Sequence, residues 1–220
     1  MPNISVIHID DSLLVVNKPA GLPTLPDGYD KTAPYLGGEL SAQYGRVWIV
    51  HRLDKDTSGA IVVTRSADAH RALNLQFDAH SVTKIYHALV IGVLDWAERT
   101  IDLPLRPDGD RRHRTVVDPQ HGKTSITHVR VLERFAQYAL IEVQLETGRT
   151  HQIRAHLAAI GYPLMADALY GKGTGVNEIG RTALHARSIE FAHPVTDERR
   201  QFEAPYPADF EAALQNLRGF

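Results

Sequence analysis

The chain has 220 residues, of which 43% are hydrophobic and 23% charged, an ordinary composition for a soluble globular protein. This length supports one substantial core, either as one large domain or as two closely joined halves. The net charge of −2 argues against a protein that coats nucleic acid through bulk charge, although a local basic groove stays open. The absence of cysteine excludes disulfides and thiolate metal sites.

The sequence shows neither the pattern of a membrane span nor that of a secretory signal. No stretch approaches the roughly 18 consecutive apolar residues of a membrane span. The first residues lack the basic and apolar segments of a secretory signal, and a cysteine-free chain fits a reducing compartment. We therefore predict a cytoplasmic protein without membrane contact.

The first half of the chain alternates short strands with irregular segments. Residues 4–9 and 13–16 predict a β-hairpin, followed by an irregular stretch rich in Pro and Gly and a weak helix within residues 32–44. Two apolar runs, residues 47–50 and 60–63, predict buried strands.

A helix is then predicted from a cap at Ser66 to about residue 79, with Ala69, Leu73 and Phe77 on one apolar face. Residues 104–123 indicate a surface loop. The remaining predicted elements are strands at 84–93, 126–132, 138–145, 188–191 and 200–202 and helices at 150–160 and 208–217.

Strands outnumber helices and mostly follow one another directly, without regular β-α-β alternation. This order predicts an α+β fold with largely antiparallel sheets and helices packed on them. Neither residues 18–32 nor residues 104–123 make a convincing boundary, so we expect a single domain over residues 1–220.

The loop of residues 51–59, between two predicted buried strands, is the main candidate for function. It is longer than a hairpin turn needs, and its Arg-Leu-Asp centre is poor turn chemistry. The alternative is a solvated surface loop that carries an Asp/Arg ion pair.

Several common site chemistries do not fit the sequence. His151 and His156 are five residues apart, which does not place two imidazoles on one helical face for a metal. The chain has neither a Gly-x-Ser-x-Gly elbow nor a nucleotide-binding glycine fingerprint. These patterns do not favour a metal site or a bound nucleotide.

Asp54 is the carboxylate that this elimination leaves. Beside Arg52, and with a distant Arg154 able to pair with it, it would be a competent nucleophile at a glycosidic carbon or at an electrophilic ring carbon. The alternative is a structural ion pair. Asp54 and Asp56 would point the same way on an extended segment, so a glycosidase-like pair stays open. Tyr86 could offer a flat face to a base or could be a core tyrosine.

Five sequence blocks resemble the RluA-type pseudouridine synthases. They occur in the order of that family and cover roughly residues 8–206. The blocks are Asn17-Lys18-Pro19-x-Gly21; His51-Arg52-Leu53-Asp54-x-x-Thr57-Ser58-Gly59; Lys84-x-Tyr86; Gly148-Arg149-Thr150-His151-Gln152-Ile153-Arg154-x-His156; and Leu184-His185-Ala186 followed by His193-Pro194.

The resemblance implies a mixed α+β fold with a central catalytic cleft and a cofactor-independent isomerisation of uridine in RNA. Asp54 would be the essential aspartate, which attacks C1′ or initiates glycal formation. Tyr86 would stack on the target base, Arg154 would pair with Asp54, and Leu184 would wall the uracil. Arg52 would enter the RNA stack in place of the flipped nucleotide.

The expected partner is a stem-loop of ribosomal or transfer RNA, bound by a monomer that has no separate N-terminal RNA-binding domain and no obligatory protein partner. Arg111, Arg112 and Arg114 are predicted to touch phosphates, with the loops at residues 22–32 and 171–180 as further candidates.

Two other functions stay open: an RNA-binding protein that does not need catalysis, and a glycoside-cleaving hydrolase that uses Asp54 with Asp56.

Overall fold

A computed structural model of the chain describes residues 4–26, 28, 30, 32–171 and 179–219. Within these residues the secondary structure is mixed, and every strand pairing whose register is described is antiparallel. The strands are β1 (Ser5–Ile9), β2 (Leu13–Lys18), β3 (Trp48–Ile49), β4 (Ser58–Thr64), β5 (Thr83–Ile91), β6 (Glu98–Asp102), β7 (Leu105–Arg106), β8 (Val116–Val117), β9 (Ile126–Arg134), β10 (Tyr138–Leu145), β11 (Leu184–Ala192) and β12 (Arg199–Glu203). The helices are α1 (Leu36–Tyr44), α2 (Ala67–Asp78), α3 (Gln152–Ala159) and α4 (Ala208–Arg218).

The chain divides into two compact units. Unit 1 comprises Met1–Lys84 and Ala186–Tyr206, and unit 2 comprises Ile85–His185 and Pro207–Phe220. Strands β5 and β11 each begin in one unit and continue in the other. The extent of a single catalytic domain over residues 1–220 stays a prediction.

Unit 1 is built on antiparallel strands with a helix packed on them. The predicted hairpin is confirmed as β1 and β2, and β2 pairs in turn with β4, whose seven residues are all buried. The predicted cap is also confirmed, because Ser66 Oγ accepts a hydrogen bond of 3.2 Å from the Ala69 N–H. Leu73 of α2 is fully buried against Val15 and Val62, which makes this the core of the unit.

Unit 2 contains an antiparallel run of strands in the order β5, β10, β9 and β6. Strand β6 was not predicted from the sequence, because Ile101 is its one buried residue and the other four are exposed. The predicted surface loop at 104–123 contains the short β7–β8 pair. Helix α3 begins at Gln152 rather than at the predicted position 150, since His151 has φ 53°, outside the right-handed helical region.

Candidate active site

The backbone of Leu53, directly before Asp54, is held by one buried threonine. The Thr24 hydroxyl donates to the Leu53 carbonyl over 2.9 Å and accepts from the Leu53 N–H over 3.2 Å. Thr24 is 3% exposed, so water does not compete for these groups. This pair of hydrogen bonds fixes the chain on the N-terminal side of the aspartate.

The backbone of Lys55, directly after Asp54, is held by a buried lysine. The Lys18 ammonium is fully buried and donates to the carbonyls of Leu22 (2.7 Å), Pro19 (3.0 Å) and Lys55 (3.1 Å). The Gly21 N–H donates to the same Lys55 carbonyl over 2.9 Å. The N-terminal block therefore fixes the loop on the C-terminal side of the aspartate.

The loop turns sharply directly after Asp54. The Thr57 N–H donates to the Asp54 carbonyl over 3.1 Å, and residues 55–56 form the turn. The extended geometry that would have pointed Asp54 and Asp56 the same way is therefore wrong. Asp54 is partly buried, whereas Asp56 and Arg52 are exposed.

His51 at the start of the loop has a structural role that the sequence did not reveal. Its Nε2 accepts a hydrogen bond of 3.1 Å from the Val62 N–H, and its ring stacks on Phe77 with centroids 4.9 Å apart. Burial, and then the positive charge of Lys84, lower the pKa of His51 to about 3. His51 is therefore neutral at physiological pH and joins the loop to β4.

Gly59 at the end of the loop block allows β4 to approach the neighbouring strand β11. A Cβ at this position would lie 2.2 Å from the Ala186 carbonyl oxygen, and the residue has φ +120°. Only glycine fits such a close approach in this conformation.

Tyr86 and Leu184 are buried residues of unit 2. Tyr86 lies in β5 opposite Val143 of β10 and is 8% exposed. Leu184 begins β11 and is 4% exposed, and its carbonyl accepts a hydrogen bond of 3.3 Å from Arg181 Nη1. Arg181 is held in turn by Asp209 of α4 through two hydrogen bonds of 2.7 and 3.0 Å.

Arg154 of α3 forms a forked ion pair that the sequence analysis missed. Its Nε donates to Asp167 Oδ2 over 2.7 Å and its Nη2 to Asp167 Oδ1 over 2.9 Å. The ring of Tyr170 lies 5.0 Å from the Arg154 Cζ. A largely enclosed arginine in a predicted site requires a carboxylate partner, and that requirement is the signal that could have directed attention to Asp167.

Two other polar residues of the same block fasten α3 to β9 and to the residue that follows β6. Gln152 Nε2 donates to the Ile126 carbonyl and to Thr127 Oγ1, each over 3.0 Å. His156 Nε2 donates to the Leu103 carbonyl over 2.8 Å, and burial lowers its pKa, so the imidazole is neutral. These side chains hold the helix that carries Arg154.

The five predicted site residues thus fall into two sets. Arg52 and Asp54 belong to unit 1, and Tyr86, Arg154 and Leu184 belong to unit 2. The ion pair between Asp54 and Arg154 stays a prediction. Across the described part of the chain, no three His, Asp or Glu side chains are grouped to bind a metal, and none of its helices could cross a lipid bilayer.

The family model of RNA pseudouridylate synthases matches residues 12–159, about two thirds of the chain. The chain belongs to this family. It is therefore a pseudouridine synthase, an isomerase that acts on RNA, and the resemblance found in the sequence blocks is confirmed.

Several relatives are similar over nearly the whole chain. Ribosomal large subunit pseudouridine synthase D of Pseudomonas aeruginosa is 42% identical, in an alignment that covers 98% of this chain and 72% of the relative. The uncharacterized RNA pseudouridine synthase YlyB of Bacillus subtilis is also 42% identical, with 98% and 73% covered.

Solved structures support the fold. The structure of the human protein named RNA pseudouridylate synthase domain containing 4 superposes on this chain with a TM-score of 0.80 at 24% sequence identity. The superposition covers 97% of this chain and 93% of the human one. Human RNA pseudouridylate synthase domain containing 1 gives a TM-score of 0.79 at 26% identity, with 99% and 96% covered. The predicted α+β class with mostly antiparallel strands is confirmed.

Proposed function

We propose that this pseudouridine synthase modifies a uridine in large-subunit ribosomal RNA and that Asp54 is its catalytic aspartate. The observation that carries the assignment of Asp54 is the fixing of the backbone on both sides of it, by Thr24 and by Lys18. A side chain whose backbone is fixed on both sides is suited to chemistry at one defined atom. The ribosomal substrate is supported by the names of relatives from Pseudomonas aeruginosa and from Neisseria meningitidis, the latter 39% identical.

The reaction places clear demands on the site. The C1′–N1 bond of uridine breaks, the base turns, a C1′–C5 bond forms, and C5 loses its proton, so the net change is an isomerisation. The Asp54 carboxylate attacks C1′ or initiates glycal formation. A stacked base shields C1′, so the target nucleotide must leave the helix at a cost of a few kcal/mol, and Arg52 would fill the space that it leaves.

The remaining roles in the proposal belong to unit 2. Tyr86 stacks on the uracil and helps to remove the C5 proton, and Leu184 supplies an apolar wall. Arg154 pairs with Asp54 and keeps it ionised and oriented. Its guanidinium is already held by Asp167, which supports a role that depends on direction as well as charge.

Arg111 and Arg112 are the proposed phosphate contacts. Both side chains are exposed, and neither forms an ion pair with an acidic side chain in the part of the chain that the structure describes. Arg114, the third predicted contact, forms an ion pair of 2.7 Å with Asp110, so we leave it out of the RNA contacts. Of the other predicted contacts, residues 27, 29, 31 and 172–178 lie outside the described residues.

Tritium release from RNA transcribed with 5-³H-uridine tests the proposed substrate. C5 loses its hydrogen only when the carbon glycosidic bond forms, so the assay reports the reaction rather than binding. We expect release from large-subunit ribosomal RNA, none from transfer RNA, and none with Asp54→Ala. Release from transfer RNA alone would overturn the ribosomal assignment. RNA binding without release from either pool would favour the non-catalytic reading.

The phosphate contacts are tested by the salt dependence of RNA binding. The double variant Arg111→Gln with Arg112→Gln should flatten the slope of log K against log salt by about 0.7 to 0.9 per lost contact. Arg71→Gln, at an exposed arginine of α2, is the matched control and should leave the slope unchanged. Equal slopes for both variants would show that these arginines do not contact RNA phosphates.

The monomeric state, the independence from a protein partner and the cytoplasmic location of the protein stay predictions.

A further inference from the structure

The contact between Arg154 and Asp167 is more restrictive than an ordinary ion pair. Both carboxylate oxygens of Asp167 accept from different nitrogens of one guanidinium, over 2.7 and 2.9 Å. The Asp167 side chain is fully buried and that of Arg154 is 12% exposed. A forked pair fixes the plane and the direction of the guanidinium, which a point charge would not do.

Asp167 is itself held rigidly in its ionised form. Its Oδ1 also accepts from the N–H groups of Leu169 and Tyr170, over 3.0 and 3.1 Å. Burial alone would raise the pKa of Asp167, but the hydrogen bonds from Arg154 and from these backbone groups lower it below its ordinary value. The carboxylate therefore presents a fixed surface to the arginine.

Tyr170 restrains the same guanidinium, which lies over the face of the tyrosine ring. The ring centroid lies 5.0 Å from the Arg154 Cζ, within the range of a cation–π contact. The ring cannot swing away easily, because its hydroxyl accepts a hydrogen bond of 2.8 Å from the Thr115 N–H and lies 3.1 Å from His151 Nδ1. Arg114 approaches the ring as well, with its Cζ 6.0 Å from the centroid.

We propose that Asp167 and Tyr170 are positioning residues that aim the Arg154 guanidinium for the catalytic step. Asp167 sets its direction through the fork, and Tyr170 sets its plane through the stack. Neither needs to touch the uridine, and both act through Arg154. The proposal rests on the role of Arg154 given under the proposed function and adds the residues that make that role possible.

A purely structural ion pair would behave differently from a positioning pair. Loss of a structural pair lowers the free energy of unfolding but does not slow the catalytic step in the molecules that stay folded. Loss of a positioning pair lowers kcat with little change in RNA affinity, and the loss depends on the presence of the arginine fork.

The first test is a double-mutant cycle of Asp167→Asn with Arg154→Lys, read by single-turnover tritium release and by the Kd for substrate RNA. An asparagine keeps the shape of Asp167 but turns an N–H group toward the guanidinium. In the wild-type background it should slow the reaction by about 30-fold or more, with Kd within about twofold. In the Arg154→Lys background, where there is no fork to aim, the further loss should be less than about threefold.

Glu133→Gln is the matched control, since it removes a carboxylate from the exposed pair with Arg218 elsewhere in unit 2. It should leave the rate and Kd unchanged. An equal loss from Asp167→Asn in both backgrounds would overturn the proposal, because the effect of Asp167 would then not depend on Arg154. A wild-type rate in Arg154→Lys would instead overturn the proposed role of Arg154, so the two failures are distinguishable.

Tyr170 gives a second test that leaves the buried ion pair intact. Tyr170→Leu should lower kcat by about tenfold without a matching change in Kd, because the stack is lost. Tyr170→Phe keeps the aromatic ring but loses the hydroxyl contact with Thr115, so it should retain more of the rate than the leucine variant. Equal rates for the leucine and phenylalanine variants would overturn the proposed stack, and this comparison stands even if Asp167→Asn fails to fold.

Discussion

Lys18 donates a hydrogen bond of 3.1 Å from its buried ammonium to the carbonyl of Lys55, the residue that follows Asp54. The two lysines are 37 positions apart, and their contact explains why a lysine in the N-terminal block matters to the central loop. Two further carbonyls, of Pro19 and Leu22, accept from the same ammonium. This one side chain therefore organises the C-terminal half of the proposed catalytic loop.

Lys18→Met keeps most of the length of the side chain and removes its three N–H donors. We expect it to lower the free energy of unfolding by about 3 kcal/mol or more, because the carbonyls lose their buried donor. Urea unfolding measures this loss. Lys123→Met, at an exposed lysine of unit 2, should change stability by less than about 0.5 kcal/mol. Similar stabilities for both variants would contradict the assigned role of Lys18.

Thr24→Val removes the hydroxyl that both donates to and accepts from Leu53. The isosteric valine leaves the Leu53 N–H and carbonyl without their partner, so we expect a loss of about 1–3 kcal/mol together with a lower kcat. Thr24→Ser keeps the hydroxyl and should retain most of the rate. If the valine and serine variants had the same rate, the hydroxyl would not position Asp54.

Gly59→Ala tests the close approach of β4 and β11. We expect a loss of about 2–5 kcal/mol, from backbone strain at φ +120° together with the clash against Ala186. Gly45→Ala separates the two effects, because Gly45 has φ +78° but nothing within 4 Å of its Cβ. It should lose about 1–3 kcal/mol through strain alone. Equal losses would show that the strands can separate to admit a methyl group.

His51 predicts a specific pH dependence of stability. Its pKa is about 3 in the folded protein and near the ordinary 6.5 in the unfolded chain, so the unfolded chain binds a proton that the folded protein excludes. Stability is therefore complete above about pH 6.5 and falls as the pH drops toward 3.

The comparison variant for this prediction is His51→Gln, which does not titrate. Below pH 6.5, the wild-type protein should lose up to about 1.4 kcal/mol per pH unit relative to it. Urea unfolding from about pH 5 to about pH 8 measures the difference. Parallel pH profiles would show that His51 takes up its proton equally in both states.

Most of the fold could be predicted from local patterns. The hairpin, the Ser66 cap and the four helices seen in the described residues depend on neighbouring residues, which the sequence displays directly. Strand β6 could not be predicted in this way, because an edge strand with a single buried residue, Ile101, has no alternating pattern. The element boundaries at α3 shifted because His151 takes a left-handed conformation that nothing in its neighbours indicates.

The proposed site was only partly predictable. The length and chemistry of the loop directed attention to Asp54, but the turn at residues 55–56 replaced the extended pairing expected with Asp56. That turn is held by Lys18, far away in sequence. Asp167 was missed for the same reason, since its fork with Arg154 spans 13 positions and depends on where α3 ends.

The most direct measurement is single-turnover tritium release from large-subunit ribosomal RNA by Asp54→Asn and Asp56→Asn. The two variants make the same chemical change two positions apart in one loop. We expect a loss of about 10⁴-fold for Asp54→Asn and a rate within about threefold of wild type for Asp56→Asn. Retained release by Asp54→Asn, or an equal loss from both variants, would contradict the assignment of Asp54 as the catalytic aspartate.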